Sequence, residues 1–286
     1  MRTFHFALLM LITALITACA LTPASTQEVL HVMSYNIRCG FCERADDVNH
    51  WSRRKFLVAD VIKKSQADVI GLQEAEAFQV KDLAALLGDF DWVGVGRDDG
   101  KEGGEMNAVL VRRSAFAIES QKTLWLSETP GQVSRSWDAM FNRTMTVLGL
   151  KSRKSGKRMY FMDTHFDHVG HTARSESAKL IVQTLQTLDV GLPVILTGDL
   201  NDRPGFAGYQ TLITHLQDAA VVARTPATGG DITFNGFGKD IQPGNKIDFV
   251  FVSSGQQVLS HQVITDLYDD RYPSDHYPIV VKVLLP

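Results

Sequence analysis

Cysteine is scarce in this chain: three in 286 residues, at positions 19, 39 and 42. A four-ligand structural zinc site would need a second cysteine pair or equivalent, and none exists. Charge of one sign is lacking too, since 29 basic and 32 acidic residues leave a formal charge of −3. Bulk charge therefore gives no reason for an obligatory nucleic-acid partner. Repeats and low-complexity stretches are absent from Val29 onward, so no interior domain boundary is visible. What is present is an ordinary globular composition, 44% hydrophobic and 21% charged, enough to bury a core as one domain.

The N-terminus departs from this. Arg2 precedes an apolar run from Phe4 to Ala18, a secretory signal over residues 1–18 that is short for a bilayer-spanning helix. Cys19 follows Ile16-Thr17-Ala18 and resembles the lipobox of bacterial lipoproteins, which implies lipidation of Cys19. The expected organisation is a signal at 1–18, a polar tether at 19–28 and a domain at 29–286. The expected location is the bacterial envelope, facing the periplasm or the cell exterior, with the lipid as membrane partner.

Cys39-Gly-Phe-Cys42, within "YNIRCGFCERADDVNHW", has the spacing of a redox motif. A thioredoxin-like site needs that pair at the start of a helix, where the helix end stabilises the thiolate. Here an irregular polar stretch follows, and helical patterning begins only near Ser52. In an oxidising compartment the pair reads as a loop disulfide or as two free thiols, rather than as redox chemistry.

Periodicity predicts strands at Val29–Ile37, Asp68–Gln73, Trp92–Gly96, Ala108–Arg112, Lys122–Leu126, Thr144–Leu150, Arg158–Thr164, Val194–Thr197, Lys246–Val252, Gln257–Ile264 and Ile279–Leu284. Helical patterns cover Ser52–Lys64, Phe78–Leu87, Ala173–Leu188 and Phe206–Thr214. Two of the strands are near-continuous apolar runs, as in sheets covered on both faces, which suggests packed sheets with helices outside. Pairing around the basic turn Lys151–Arg158 would set Arg143 opposite His165 and carry the turn to the far end of the hairpin. Those basic residues then form a solvated tip, not a substrate groove.

Asn36, Glu74, His165, Asp199, Asn201, Asp248, Asp275 and His276 all fall at or beside strand ends. The set is oxygen-rich, which suits a hard divalent cation better than zinc or copper. Six stretches, "MSYNIR", "GLQE", "DTHFDH", "TGDLND", "KIDFVFVS" and "YPSDHYPI", resemble in order and approximate spacing the endonuclease/exonuclease/phosphatase superfamily. The resemblance implies a four-layer α/β sandwich, two face-to-face mixed sheets flanked by helices. It also implies hydrolysis of phosphoesters with Mg2+, or Mn2+ in its place. By the same resemblance Glu74 would be the principal metal ligand, with Asn36 beside it and Asp275 assisting. Asp199 would orient or deprotonate the attacking water, Asn201 would hold a phosphate oxygen, and Asp248 would fix the tautomer of His276. His165 would donate to the phosphate or the leaving oxygen.

Around these stand Arg143 as a phosphate clamp, Glu105 as an orienter of His165, and His168 and Arg174 within reach of substrate. Trp125, Trp137 and Phe141, in the long loop before Arg143, read first as an ordinary loop mini-core and second as a specificity wall. The expected substrate is an extracytoplasmic small-molecule or lipid-headgroup phosphoester hydrolysed by a monomer. The alternatives are an exported nuclease taking DNA or RNA as substrate, and a binding lipoprotein without catalysis.

Overall fold

A computed structural model describes residues 27–285; the expected signal segment and Cys19 lie outside the described residues. The chain opens with strand β1 (Glu28–Asn36), helix α1 (Trp51–Ser65), strand β2 (Val69–Ala75), helix α2 (Ala77–Leu87), β3 (Phe90–Val93) and β4 (Met106–Arg112). It continues through β5 (Phe116–Trp125), β6 (Thr144–Ser152), β7 (Arg158–His165), α3 (His171–Leu185) and β8 (Val194–Asp199). The last part comprises α4 (Ala207–Leu212), β9 (Leu216–Asp218), α5 (Ala219–Val222), β10 (Asp248–Ser253), β11 (Val258–Val263) and β12 (Ile279–Leu285). The predicted strand at Lys122–Leu126 is the end of the longer β5, while β9 and α5 carry too little periodicity to be anticipated.

The strands form two six-stranded sheets, ordered β11-β12-β1-β2-β4-β3 and β5-β6-β7-β8-β10-β9. Each sheet is mixed in the same way, with one parallel pair, β1/β2 in the first and β7/β8 in the second, among antiparallel neighbours. A parallel pair needs a crossover, and α1 and α3 supply one each. Three apolar clusters fix the layering. Leu30, Val32, Val69, Phe161, Ile195 and Val250 pack between the sheets. Val58, Ile62 and Leu83 from α1 and α2 pack on Ile70 and Leu72 of the first sheet. Ile181 and Leu212 from α3 and α4 pack on Met162, Leu196 and Phe249 of the second. The expected four-layer sandwich is therefore the observed architecture.

Local signals explain the helices that set this spacing. In α1 the buried Leu57, Val58, Val61 and Ile62 recur at helical intervals, and Gln66 ends the helix in the left-handed conformation. In α2 a capping box between Glu76 and Gln79 starts the helix directly after β2. The symmetry of the two parallel pairs has a consequence for function. The carboxyl ends of β1, β2, β7 and β8 lie at one end of the sandwich and carry Asn36, Glu74, His165 and Asp199. The antiparallel β10 begins there with Asp248, whose register partner is Asp199. The β6–β7 turn, with its basic residues, lies at the other end, since β7 runs from Arg158 to His165, on the order of 20 Å at about 3.3 Å per residue.

Beneath that end the sheets are joined by a polar belt. Asp163, fully buried, accepts hydrogen bonds from Gln73 Nε2 (2.6 Å), Thr197 Oγ1 (2.6 Å) and Asn107 Nδ2 (3.2 Å). Burial drives its carboxyl well above the usual carboxylate range despite these donors.

Candidate active site

Glu74 reaches the site through a break in regularity. The β2–β4 pairing slips between Leu72 and Ala75, and Glu74 takes a φ of +60°, a left-handed conformation that costs a non-glycine residue energy. Such a bulge re-aims a side chain. The Glu74 carboxylate then accepts from Asn36 Nδ2 (3.0 Å) and from the Cys39 backbone N–H (3.1 Å). Burial works against its charge, but the nearby His276 and these donors hold its pKa below the ordinary value.

Asn36 Nδ2 also donates to Asp199 Oδ2 at 3.0 Å. One partly positive amide group therefore lies between two carboxylates, where a divalent cation would be held. Glu74, Asp199 and His276 each place a candidate ligand atom within 4.8 Å of the others. His276 is the poorer ligand of the three, because Asp248 Oδ2, 2.9 Å from its Nδ1, favours the doubly protonated ring, which has no lone pair for a metal. Burial opposes its charge, but Asp248, with Asp199 and Asp275, raises its pKa to about 10. The carboxylate oxygens of Glu74 and Asp199 fit a hard cation, leaving His276 as a cationic donor; Asn36, expected beside the metal, presents its NH2 there, because its amide oxygen accepts from the Arg38 N–H (3.0 Å). Burial and then Asp248 raise Asp199 to about 7, the range of a general base at neutral pH.

The opposite side belongs to the second sheet. Arg143 Nη1 donates to His165 Nδ1 (2.9 Å) and Nη2 to His168 Nδ1 (3.1 Å). Arginine has no acceptor, so Nδ1 of His165 is the lone-pair nitrogen and Nε2 carries the proton. Nε2 faces Asp199 Oδ2 at 3.5 Å; Asn201 Nδ2, 3.0 Å away, is itself a donor and gives its hydrogen to the Phe166 carbonyl (3.1 Å), not to this protonated nitrogen. Burial, then Arg143 and Arg97, depress the His165 pKa strongly, so it acts as a neutral hydrogen-bond donor. The hairpin register is Met145 opposite Thr164, one position from the expected one, yet the Arg143 side chain spans the difference.

Two expectations are corrected. Glu105 lines the cavity but is not hydrogen-bonded to His165: its Oε2 is 3.9 Å from Nδ1, which Arg143 occupies, 3.7 Å from Arg143 Nη1 and 2.5 Å from Arg97, its nearest partner. Burial and the charge of Glu74 raise Glu105 to about 7. Arg174 does not face the cavity; it is buried, donates to the Asp167 carbonyl (2.9 Å) and contacts His171 Nδ1. Of the proposed aromatic wall only Phe141 lines the cavity, stacked on His168 at 5.8 Å. Trp125 is buried with Nε1 donating to the Arg97 carbonyl.

Asp275 lines the cavity, but its Oδ2 is paired with Arg38 Nη1 at 2.7 Å. Arg38 is a site residue that the sequence reading passed over, although it closes the "SYNIR" motif. A fully buried arginine holds this corner together: Arg54 donates to the carbonyls of Ile37 (3.0 Å) and Pro273 (2.8 Å) and pairs with Glu43. Ser274 Oγ donates to the Asn36 carbonyl (2.8 Å). Cys39 and Cys42 are disulfide-bonded, with Cα atoms 5.4 Å apart, which settles the alternative between bridge and free thiols. The bridge clamps the loop whose N–H holds Glu74.

A model of the Endonuclease/Exonuclease/phosphatase family matches residues 33–276. The chain belongs to this family. Among solved structures, an endonuclease/exonuclease/phosphatase family protein from Bacteroides thetaiotaomicron is 33% identical, covering 91% of this chain and 99% of its own, with a TM-score of 0.85. A mannosyl-6-phosphatase from Bacteroides thetaiotaomicron VPI-5482 is also 33% identical, covering 89% and 99%, with a TM-score of 0.83. Nocturnin of Drosophila melanogaster is 24% identical over 191 residues, 61% of this chain; the chain spans only 28% of that protein's length. Members of this family are phosphoester hydrolases, and the family generally depends on a divalent metal.

Proposed function

We propose that the protein is an Mg2+-dependent hydrolase of a small phosphoester, with Mn2+ as a substitute, exported and tethered to the envelope through lipid on Cys19. The observation that carries the reaction is the division of the cavity. Two carboxylates share one amide group on one side, and a cationic His276 and the His165–Arg143 pair face the same space from the others.

Glu74 and Asp199 would hold a divalent cation, which would supply Lewis-acid stabilisation of the phosphoryl oxygens. Asp199 aligns the attacking water and takes its proton as the new P–O bond forms; the ester P–O bond breaks, and the departing oxygen takes a proton from the His276 imidazolium, whose Nε2 lies 3.8 Å from Asp199 and is reprotonated from it. His276, kept charged by Asp248, and the Nε2–H of His165 hydrogen-bond the oxygens on which charge accumulates. Arg143 holds His165 in the donating tautomer. The full-length likeness to a mannosyl-6-phosphatase supports a small substrate. The chain's mild acidity and the remoteness of the basic hairpin tip support it over a nucleic acid. The disulfide favours an oxidising compartment, and the chain acts as a monomer in this reading.

The test is hydrolysis of 4-nitrophenyl phosphate, bis(4-nitrophenyl) phosphate, DNA, RNA and sphingomyelin, each with Mg2+ or with chelator. Chelator should abolish turnover of the small esters. A strong preference for DNA or RNA would overturn the substrate class, and activity that survives Glu74→Ala would overturn the mechanism.

A further inference from the structure

The cavity is larger than a phosphate needs, at about 560 Å³, and the groups around its outer part differ in kind from those around the phosphate end. Asp240 lines it but is tied to the protein only through its backbone. Its N–H donates to the Asn235 carbonyl (3.0 Å) and its own carbonyl accepts from Asn245 Nδ2 (2.9 Å). Neither carboxylate oxygen has a hydrogen-bond or ion-pair partner among the described residues. Asn245 is pinned in turn, because its carbonyl accepts from the N–H groups of Thr233 and Phe234, leaving its side-chain oxygen for the cavity. Arg203 reaches the same space with its guanidinium unpaired among the described residues. Two exposed aromatic side chains, Phe41 and Phe141, stand on the rim.

Asp240 and Arg203 bring one charge of each sign, so this part of the cavity has no net charge to draw a second phosphate. A chain of phosphodiesters or a polyphosphate is thus a poor occupant. A carboxylate, an amide oxygen and a guanidinium are together satisfied by neutral hydroxyl groups, which both donate and accept. The aromatic rim offers an apolar face to a ring. Resting on the phosphoester-hydrolase reading, we infer that Asp240, Asn245 and Arg203 form a leaving-group subsite for a monophosphate of a hydroxyl-rich ring, a sugar or a cyclitol. The subsite is held rigid because Asn235 and Gly236 donate their N–H groups to the Asp275 carbonyl, one residue before His276.

The experiment compares kcat/KM for a hexose 6-phosphate, its 2-deoxy counterpart, inositol monophosphate, AMP and 4-nitrophenyl phosphate in wild type, Asp240→Ala and Asp240→Asn. Losing hydrogen bonds to a charged acceptor should lower the ratio of ring-phosphate to aryl-phosphate kcat/KM roughly 10- to 100-fold in Asp240→Ala. Asp240→Asn, which keeps one acceptor oxygen, should fall between. Whether hexose or inositol is the better substrate separates the sugar from the cyclitol. A ratio that stays the same in both variants, or a wild-type preference for AMP, overturns the subsite and leaves the phosphoester chemistry standing. Failure of wild type to cleave 4-nitrophenyl phosphate with Mg2+ overturns the chemistry beneath it.

Discussion

The two ends of one cavity are built on opposite plans. At the inner end Glu74, Asp199, Asp248, His165 and Arg143 are each bonded to another protein group, and most are buried. At the mouth, Asp240 and Arg203 present charged groups that are unpaired among the described residues, and Phe41 is 61% exposed. The inner groups come from strand ends and are placed by sheet register; the outer groups come from loops. The difference separates preorganised electrostatics, which lower the barrier, from unsatisfied groups that a substrate must complete.

The largest effects should come from breaking the inner end. Glu74→Ala or His276→Ala should each lower kcat/KM about 1,000-fold, as for loss of a positioned charge in a closed site. The same assay on Asp240→Ala should move chiefly the substrate ratio, which is the contrast between the two ends in a single experiment.

Asp248→Asn comes next, with a fall in kcat of about 100-fold. Proton NMR of the metal-free protein should show the His276 imidazole titrating well below its wild-type value of about 10. The sign follows from a folded pKa above the ordinary histidine value of about 6.5. The His276 contribution to stability is fully present below pH 6.5 and is lost as pH rises through 10. In Asp248→Asn that alkaline loss should shift to lower pH.

Replacing both Cys39 and Cys42 with serine should cost about 2 kcal/mol, small because the bridge closes a short loop. Denaturant unfolding measures it. Turnover should persist with weaker divalent-cation binding, because the Cys39 N–H loses its fixed place beside Glu74. The smallest effect belongs to the far end of the sandwich. Lys151→Ala with Lys154→Ala should leave kcat/KM for small esters unchanged and alter stability by less than about 0.5 kcal/mol.

Much of the inner end was legible because strands that end in Asn36, Glu74 or Asp199, and one that begins at Asp248, announce polar groups at a sheet end. The two parallel pairs then bring those ends together, and hairpin logic put Arg143 beside His165 to within one residue. Glu74 is the instructive case. Its identity is visible in "GLQE", but its aim depends on a bulge and a positive φ that no feature of that apolar run signals. Asp163 sits inside a run that reads as an ordinary strand, and only the stacked sheets make it the hub of a buried belt. Glu105 does reach the cavity wall, but its nearest partner, Arg97, was not visible, because the two meet through a loop closed by the Arg97 N–H and the Glu105 carbonyl. Arg174 folds back onto the first turn of its own helix, a local contact that its distance from "DTHFDH" does not reveal. Asp240 lies in an irregular, glycine-rich stretch with no periodicity, so its place at the mouth follows only from the backbone bonds that tie it to Asn235 and Asn245.

The most direct test is hydrolysis of 4-nitrophenyl phosphate by the purified protein over a titration of Mg2+, in wild type and Glu74→Gln, with cation binding followed by calorimetry. Turnover that rises with occupancy of the Glu74–Asp199 site, disappears with chelator and is lost with cation binding in Glu74→Gln is the predicted result. Undiminished turnover in chelator, or in Glu74→Gln without bound cation, would contradict it.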